Sequence, residues 1–541
     1  MTHRRRSLSC LVLAVLMLAP ALAQEPPHRA ATNAPREPRG PGVLQLLPGD
    51  SVTEHSIDLP HGQLAYTATA GTLALFDPGG ERKADVFYTA YVAKGPDVAG
   101  RPVTFVFNGG PGAASAFLHL GLVGPKIVDF GPDQRDGAAA KLRDNPDTWL
   151  AFTDLVMIDP IGTGWSRTAK PEDADAFLGV RADADEIAKV IALYVAKNGR
   201  SASPKYLLGE SYGGFRAVKV ARALQDQQGI VVSAIVMVSP LLEGAFLFGS
   251  DRFALGAALQ LPSLIASELE RNHAFSADAL AAGERFAMTD YLTTLAGAAP
   301  TGERARAFYA RVAQLTGLPL DAVTRARGFV RGAYVKQLRA GDKQVVSHYD
   351  VTIAAADPFP ESQSAEGPDP VLDGYVRALG GAFVGYAADQ LGFRSEMTYA
   401  LLARDASHKW KWQEGNSQVP PSVTDDLREL LSLDPSLRCL VAHGYSDLIV
   451  PYGVTRYVRD HLPQNSIAER VDLKLYRGGH MFYLDDQPRR DFTADAKAFY
   501  GSPAPAQPAP AQPAPAKPAA SRPPRRCRTP RQATARSCRA T

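Results

Sequence analysis

The amino-acid sequence predicts an α/β fold, a mostly parallel central sheet with an inserted and mainly helical cap, and three features carry that expectation. Short, nearly continuous apolar runs recur at 103–107, 155–158, 206–208, 234–238, 439–442 and 473–476. Such runs suit strands covered on both faces, as parallel strands are when helices pack on either side. Helical periods fall between them, at 182–197 and 215–225, and strand alternating with helix is the pattern of an α/β fold. The rhythm then breaks between 245 and 420, where helical segments at 279–297 and 301–315 precede a Pro-, Asp- and Ser-rich loop at 357–370. That stretch reads as a cap inserted between two core strands. Upstream, 62–93 alternates aromatic and β-branched residues with polar ones between Gly and Pro breaks, which predicts antiparallel strands at one edge of the main sheet.

The two ends read differently from the body. Residues 1–23 run from Arg4, Arg5 and Arg6 through an apolar stretch at 11–18 to Ala21, Leu22 and Ala23, the order of a secretory signal peptide. Cleavage is expected after Ala23, placing the mature chain in the periplasm or outside the cell. The apolar run falls short of the roughly 20 residues a spanning helix needs, so no integral membrane segment is expected after cleavage. Residues 24–42 lack apolar period and read as a disordered leader. A catalytic core is expected over 43–244 and 421–500, with the cap at 245–420. From 501 to 541 a Pro/Ala repeat and an arginine-rich end predict an extended, solvated tail.

Charge and cysteine usage narrow the classes further. The formal net charge is +3, but 502–541 alone carries one Lys and seven Arg with no acid, so the body is acidic and nucleic acid is not expected as its partner. Of the four cysteines, Cys10 lies in the signal and Cys527 and Cys538 in the tail. Only Cys439 belongs to the body, which must therefore be stable without an internal disulfide. No metal-ligand cluster, phosphate loop or dinucleotide fingerprint stands in the needed context, so no metal and no cofactor is expected. Oligomeric state is not legible.

The chemistry-bearing signal is Gly209, Glu210, Ser211, Tyr212, Gly213, Gly214, which follows a predicted strand and opens a predicted helix. This is the context of a nucleophile elbow and points to the α/β-hydrolase fold, with Ser211 as nucleophile. In that fold the acid and the base follow in the order Ser, Asp, His. His480 stands just after the last predicted strand and is the expected base, with His443 as its rival. Asp447 follows the strand 439–442 and precedes His480, so it is the expected acid, able to hold the imidazole tautomer. Asp485 and Asp486 lie beyond the histidine and read as surface residues. Asn108, Gly109, Gly110, Pro111 and Gly112 end the strand 103–107. Glycines there let the backbone approach a reacting carbonyl, so the Gly110 N–H and the Tyr212 N–H form the expected oxyanion hole. The similar turn at 159–166 is given no catalytic role.

Together these residues resemble the serine carboxypeptidase family, and a bacterial member of it. The resemblance rests on five blocks in the family's order: N-G-G-P-G at 108–112, P-I-G-T-G-W-S at 160–166, G-E-S-Y-G-G at 209–214, G-Y-S-D at 444–447 and G-H-M at 479–481. It implies a triad of Ser211, Asp447 and His480, and it implies that Asn108, the Gly109 N–H and Glu210 grip the terminal carboxylate of a peptide substrate. A protonated Glu210 would donate to that carboxylate, since two carboxyls in contact share a proton more readily than both ionise. The chain departs from the family at Leu122, where a second glutamate is usual, and at Val106 and Ala113, which replace a tryptophan and a cysteine. Two other readings stand beside this one: an esterase or acyltransferase using the same triad, and a non-catalytic secreted binding protein that has kept the fold.

Overall fold

The structure, a computed structural model, describes residues 40–130, 140–247, 250–413, 419–464 and 467–502. The expected signal peptide with its cleavage site, nearly all of the leader, and the tail from 503 onward lie outside the described residues. Nine strands make up the path of the main sheet: β1 (Ser51–Leu59), β2 (Gly62–Phe76), β3 (Arg82–Ala93), β4 (Val103–Phe107), β5 (Asp154–Ile158), β6 (Lys205–Glu210), β7 (Ala234–Val238), β8 (Arg438–Gly444) and β9 (Val471–Tyr476). Their order is β1-β2-β3-β5-β4-β6-β7-β8-β9, with the short strand Arg167–Thr168 paired to β3 as a tenth member. From β1 to β5 neighbours are antiparallel, and from β5 to β9 every neighbouring pair is parallel. An antiparallel edge leading into a parallel body whose fourth and fifth strands exchange places is the α/β-hydrolase fold.

The apolar runs at 103–107 and 234–238 are the strands β4 and β7 at full length, and the other four lie inside β5, β6, β8 and β9. The alternating edge at 62–93 is two long strands, with 62–76 continuous through Gly71. Strand β1 was not anticipated, and the reason is its exposure. It has one partner, and its burial alternates so weakly that only Ser51 and Ile57 are buried. Side chains two apart share a face, so neighbouring residues of each central strand enter opposite cores. Leu208, Val236 and Leu440 pack with Trp149 and Phe492 on one side. Leu207, Ile235 and Val441 pack on the other with Ile187 and Val218, which belong to α1 (Val180–Lys197) and α2 (Tyr212–Ala223). Cys439 is buried and free, and among the described residues no helix is long and apolar enough to cross a membrane.

Between β7 and β8 the chain is mainly helical. Helices α3 (Ala254–Arg271), α4 (Ala277–Phe286), α5 (Gly302–Thr316) and α6 (Arg331–Gln337) share a third core around Leu261, Leu264, Tyr291, Val312 and Tyr334. The helical period at 279–297 is broken into α4, a π-turn at Ala287–Tyr291 and a short helix Leu292–Ala296. Helix α7 (Leu372–Asp389) instead joins the core beneath the sheet, where Phe383 meets Phe87 and Trp165.

A further segment of this region, 347–351, is sewn into the loops that follow β8 and β9. The His480 N–H donates to the Tyr349 carbonyl at 2.6 Å, and the Leu448 N–H to the His348 carbonyl at 3.1 Å. The Val351 N–H reaches the Ser446 carbonyl at 3.3 Å, and the Ser446 hydroxyl donates to Asp350 at 2.8 Å. From α6, Arg331 donates to the Leu448 carbonyl at 2.9 Å. This crossing is tight: a Cβ on Gly479 would lie 2.0 Å from the Tyr349 carbonyl oxygen. Gly479→Ala is therefore expected to force the two backbones apart at a cost of about 1–3 kcal/mol, read as a lower midpoint in urea denaturation.

Candidate active site

The register of the sheet assembles the site before any side chain is considered. Phe107 pairs with Gly209, and Glu210 pairs with Val238, which in turn pairs with Ala442. The residues that leave the carboxyl ends of β4, β6, β7 and β8 thus emerge side by side, and that is where ligands bind in open α/β sheets. Ser211 follows β6 with φ 60° and ψ −125°, a left-handed turn that reverses the chain into α2. Its N–H donates to the Val238 carbonyl at 2.8 Å, and its carbonyl accepts from Leu241 at 3.1 Å. The turn is possible because residues 209, 213 and 214 around it are glycines. A Cβ on Gly209 would sit 2.0 Å from the Gly213 carbonyl oxygen, and one on Gly214 would sit 2.5 Å from the Pro240 Cβ.

Asp447 and His480 are in contact. His480 Nδ1 lies 2.8 Å from Asp447 Oδ2, and Asp447 Oδ1 accepts from the N–H groups of Ile449 and Val450 at 2.7 and 3.0 Å. Since a carboxylate only accepts, Nδ1 carries the hydrogen and Nε2 is the open nitrogen. Burial pushes the His480 pKa down, but the Asp447 charge and hydrogen bond outweigh it, and the net shift is upward. The Ser239 hydroxyl holds the His480 carbonyl at 2.9 Å. Ser211 and His480 therefore both hang from the end of β7, one on Val238 and the other on Ser239. No hydrogen bond joins the Ser211 hydroxyl to His480 among the described residues. The rival histidine is a core residue: His443 is fully buried in β8, bonds Thr455 at 2.9 Å, and is pushed down to about 3 by burial.

The glycine turn after β4 lies against the elbow. A Cβ on Gly109 would meet the Tyr212 nitrogen at 2.5 Å and the Gly213 nitrogen at 2.7 Å, so any larger residue there would cover the start of α2. Gly110 has φ +97°, and Tyr212 is the first residue of its helix. Among the described residues neither the Gly110 nor the Tyr212 N–H donates to a protein acceptor, which leaves both for a ligand; helix N-termini favour negative charge. Asn108 is buried, with Oδ1 accepting the Leu118 N–H at 3.1 Å and Nδ2 donating to Glu210 Oε2. Glu210 also accepts from the Tyr483 hydroxyl at 2.7 Å. Burial raises its pKa to about 7, against the lowering influence of His480, Tyr483 and Asn108.

Several structural partners of the site were not legible in the sequence. Arg216, fully buried on α2, pairs with Asp183 of α1 at 2.7 Å and donates to the Asn108 carbonyl. A trans peptide points its C=O and N–H in opposite directions, so this bond turns the Gly109 N–H away from Arg216. Glu186, also on α1, accepts the Ile161 N–H at 3.1 Å and so anchors the 159–166 turn. The Ser166 hydroxyl in that turn spans from the Phe87 N–H to the Asp159 carbonyl, at 2.8 and 2.6 Å, a structural duty. The one sequence signal for this network was a set of charged residues, Asp183, Glu186 and Arg216, on helix faces otherwise built to be buried. Removing only the cation strands a buried carboxylate, so Arg216→Met should cost about 3–5 kcal/mol in urea denaturation. Adding Asp183→Leu should recover much of that loss.

Comparison with known proteins bears on the same segment. The family model described as serine carboxypeptidase matches residues 68–235. Serine carboxypeptidase-like 44 of Arabidopsis thaliana is 28% identical over 128 residues, 23% of this chain and a quarter (25%) of that protein's length. Among solved structures, the prohormone-processing carboxypeptidase KEX1(delta)p of Saccharomyces cerevisiae aligns with 80% of this chain and 90% of its own, at 16% identity and a TM-score of 0.48. The proline iminopeptidase of Mycobacterium smegmatis aligns over 80% of this chain and 97% of its own, with 15% identity and a TM-score of 0.33. Over residues 68–235, which hold the glycine turn, the 160–166 turn and the elbow serine, this chain matches the serine carboxypeptidase family.

Proposed function

We propose that this protein is an exported serine carboxypeptidase that releases C-terminal residues from peptides through an acyl-enzyme. The observation that carries the reading is the buried Asn108–Glu210 pair immediately before the elbow serine, with a carboxyl whose pKa lies near 7. An internal protease or a simple esterase has no use for an acid held half-protonated beside its nucleophile. A peptide's terminal carboxylate does, since the protonated acid donates to it while the Gly109 N–H adds a second donor.

In the proposed reaction, His480 Nε2 takes the Ser211 proton as Oγ attacks the scissile carbonyl. The tetrahedral oxyanion forms against the Gly110 and Tyr212 N–H groups. His480 then returns the proton to the leaving amine, and water hydrolyses the ester by the same path in reverse. Asp447 stabilises the imidazolium throughout. The Ser211–His480 hydrogen bond closes when substrate arrives, as catalytic contacts often do. Export rests on the signal-like first 23 residues.

The base must be neutral to act, and its pKa is raised, so turnover should climb with pH through a value above that of an ordinary histidine. Ser211→Ala should leave only the activity of the oxyanion site and binding, roughly 10³–10⁴-fold over water. A digest of mixed peptides analysed by mass spectrometry should yield ladders from the C-terminus, and blocking that terminus as an amide should abolish them. Internal cleavage, or cleavage indifferent to amidation, would instead favour the esterase or acyltransferase reading. Failure of Ser211 to react with a fluorophosphonate would favour a non-catalytic binding protein.

A further inference from the structure

Leu122 stands where the family resemblance leads one to expect a second carboxyl group, and it is fully buried in an apolar core. The segment that carries it packs directly on another polar residue. A Cβ on Gly121 would lie 2.8 Å from the ring of Tyr483, three residues after His480 in the short helix Phe482–Leu484. Tyr483 is fully buried, and its hydroxyl donates to Glu210 Oε2 at 2.7 Å.

We propose that Tyr483 is a positioning residue of the carboxylate grip: together with Asn108 it occupies Glu210 Oε2, so that the acid's proton resides on Oε1 and is donated to the substrate's terminal carboxylate. This rests on the carboxypeptidase reading and deepens it. The stereochemistry is restrictive. Asn108 cannot turn its amide around, because Oδ1 already accepts the Leu118 N–H, so Nδ2 is the atom that faces Glu210. With Nδ2 and the Tyr483 hydroxyl both donating to Oε2, that oxygen has no lone pair well placed for a proton. Oε1 receives no hydrogen bond from the described residues. Tyr483 has no exposed surface with which to touch substrate, so it acts through Glu210. A phenol replaces an acid here with one consequence for charge. A second carboxyl would compete for the proton, whereas Tyr483 only donates, and its own ionisation is pushed far up by burial and the Glu210 charge.

The other ionisable groups around Glu210 are His480 and Asp447, on the loops after β9 and β8, and Tyr349 from the cap. Tyr375 lies near Tyr483. The Tyr483 hydrogen bond favours ionised Glu210, so its loss must raise the pH at which Glu210 gives up its proton. The test compares the whole protein with its Tyr483→Phe variant. KM is measured from pH 5 to 9 for an N-blocked dipeptide with a free carboxylate, the same dipeptide as an amide, and a small ester. For the free dipeptide, the wild-type KM should rise as Glu210 ionises, and in Tyr483→Phe that rise should move up by about one to two pH units. The ester, which shares only the His480 dependence, should show no such movement. In Tyr483→Phe combined with Glu210→Gln the rise should vanish. An unmoved profile in Tyr483→Phe, with at most a lower melting temperature, would overturn the role and leave the hydroxyl purely structural. A wild type that treats free and amidated dipeptides alike would overturn the carboxypeptidase reading itself, and this role with it.

Discussion

Everything at this site follows from the reversal of the chain at Ser211. A non-glycine residue with positive φ costs on the order of 1–3 kcal/mol and persists only where its surroundings over-determine it. Here they do. The Ser211 N–H is fixed on β7, its carbonyl accepts from Leu241, and the glycines on either side close to distances that no side chain would tolerate. The outcome is positional. Ser211 is partly exposed at the carboxyl end of the sheet, and among the described residues the first N–H of α2 has no backbone partner. A serine in an ordinary strand or helix would have neither property.

The turn after β4 meets this elbow through close backbone contact at Gly109 and the Asn108–Glu210 hydrogen bond, and its orientation is governed from beneath. The Arg216–Asp183 pair ties α2 to α1 and reaches the Asn108 carbonyl, while Glu186 on α1 ties the second glycine turn through Ile161. A buried ion pair is weak evidence for stability, since a well-packed apolar pair of equal volume often does as well. Its value here is directional, because it holds one peptide plane with the Asn108 carbonyl toward Arg216 and the Gly109 N–H turned away from it. The histidine loop is governed from above by backbone bonds to 347–351 and the aromatic contact of Tyr349 with His480 at 5.5 Å. The inserted region is thus part of the frame of the site.

Much of this was legible in the residues. Six apolar runs located the six parallel strands, five of them because burial on both faces leaves an unbroken signal, while the edge strand β9 alternates with Asp472 and Lys474 exposed. The glycine blocks at 108–112 and 209–214 announced close backbone approach, and Asp447 and His480 were readable because each follows a strand and stands in the order the fold requires. What escaped has a common physical character. Strand β1 is an outer edge whose side chains are nearly all partly exposed, so alternation is faint. The bond from Arg216 to Asn108 joins residues 108 apart, and that from Tyr483 to Glu210 joins residues 273 apart. No local pattern records such pairings. The link between 347–351 and the loops after β8 and β9 is made mostly by backbone atoms, which every residue carries, with the Ser446–Asp350 bond beside them.

Leu122 illustrates how a departure read as a loss takes on a different meaning in three dimensions. In sequence it is a missing acid, and it weakens the expectation of a carboxylate grip. In the structure it is an apolar contact in a segment that packs over Tyr483, and Tyr483 supplies Glu210 with a donor. A pair of acids stabilises one shared proton by mutual repulsion, so its pKa values are split and belong to the pair. A single acid with a phenol and an amide on one oxygen is simpler. Burial, joined by the Asp447 charge, lifts it to about 7, and His480 together with the two donors holds it from rising further. The acid thus reaches the neutral range beside Ser211 mainly through desolvation balanced by hydrogen bonds, without the second acid that the family resemblance leads one to expect at Leu122.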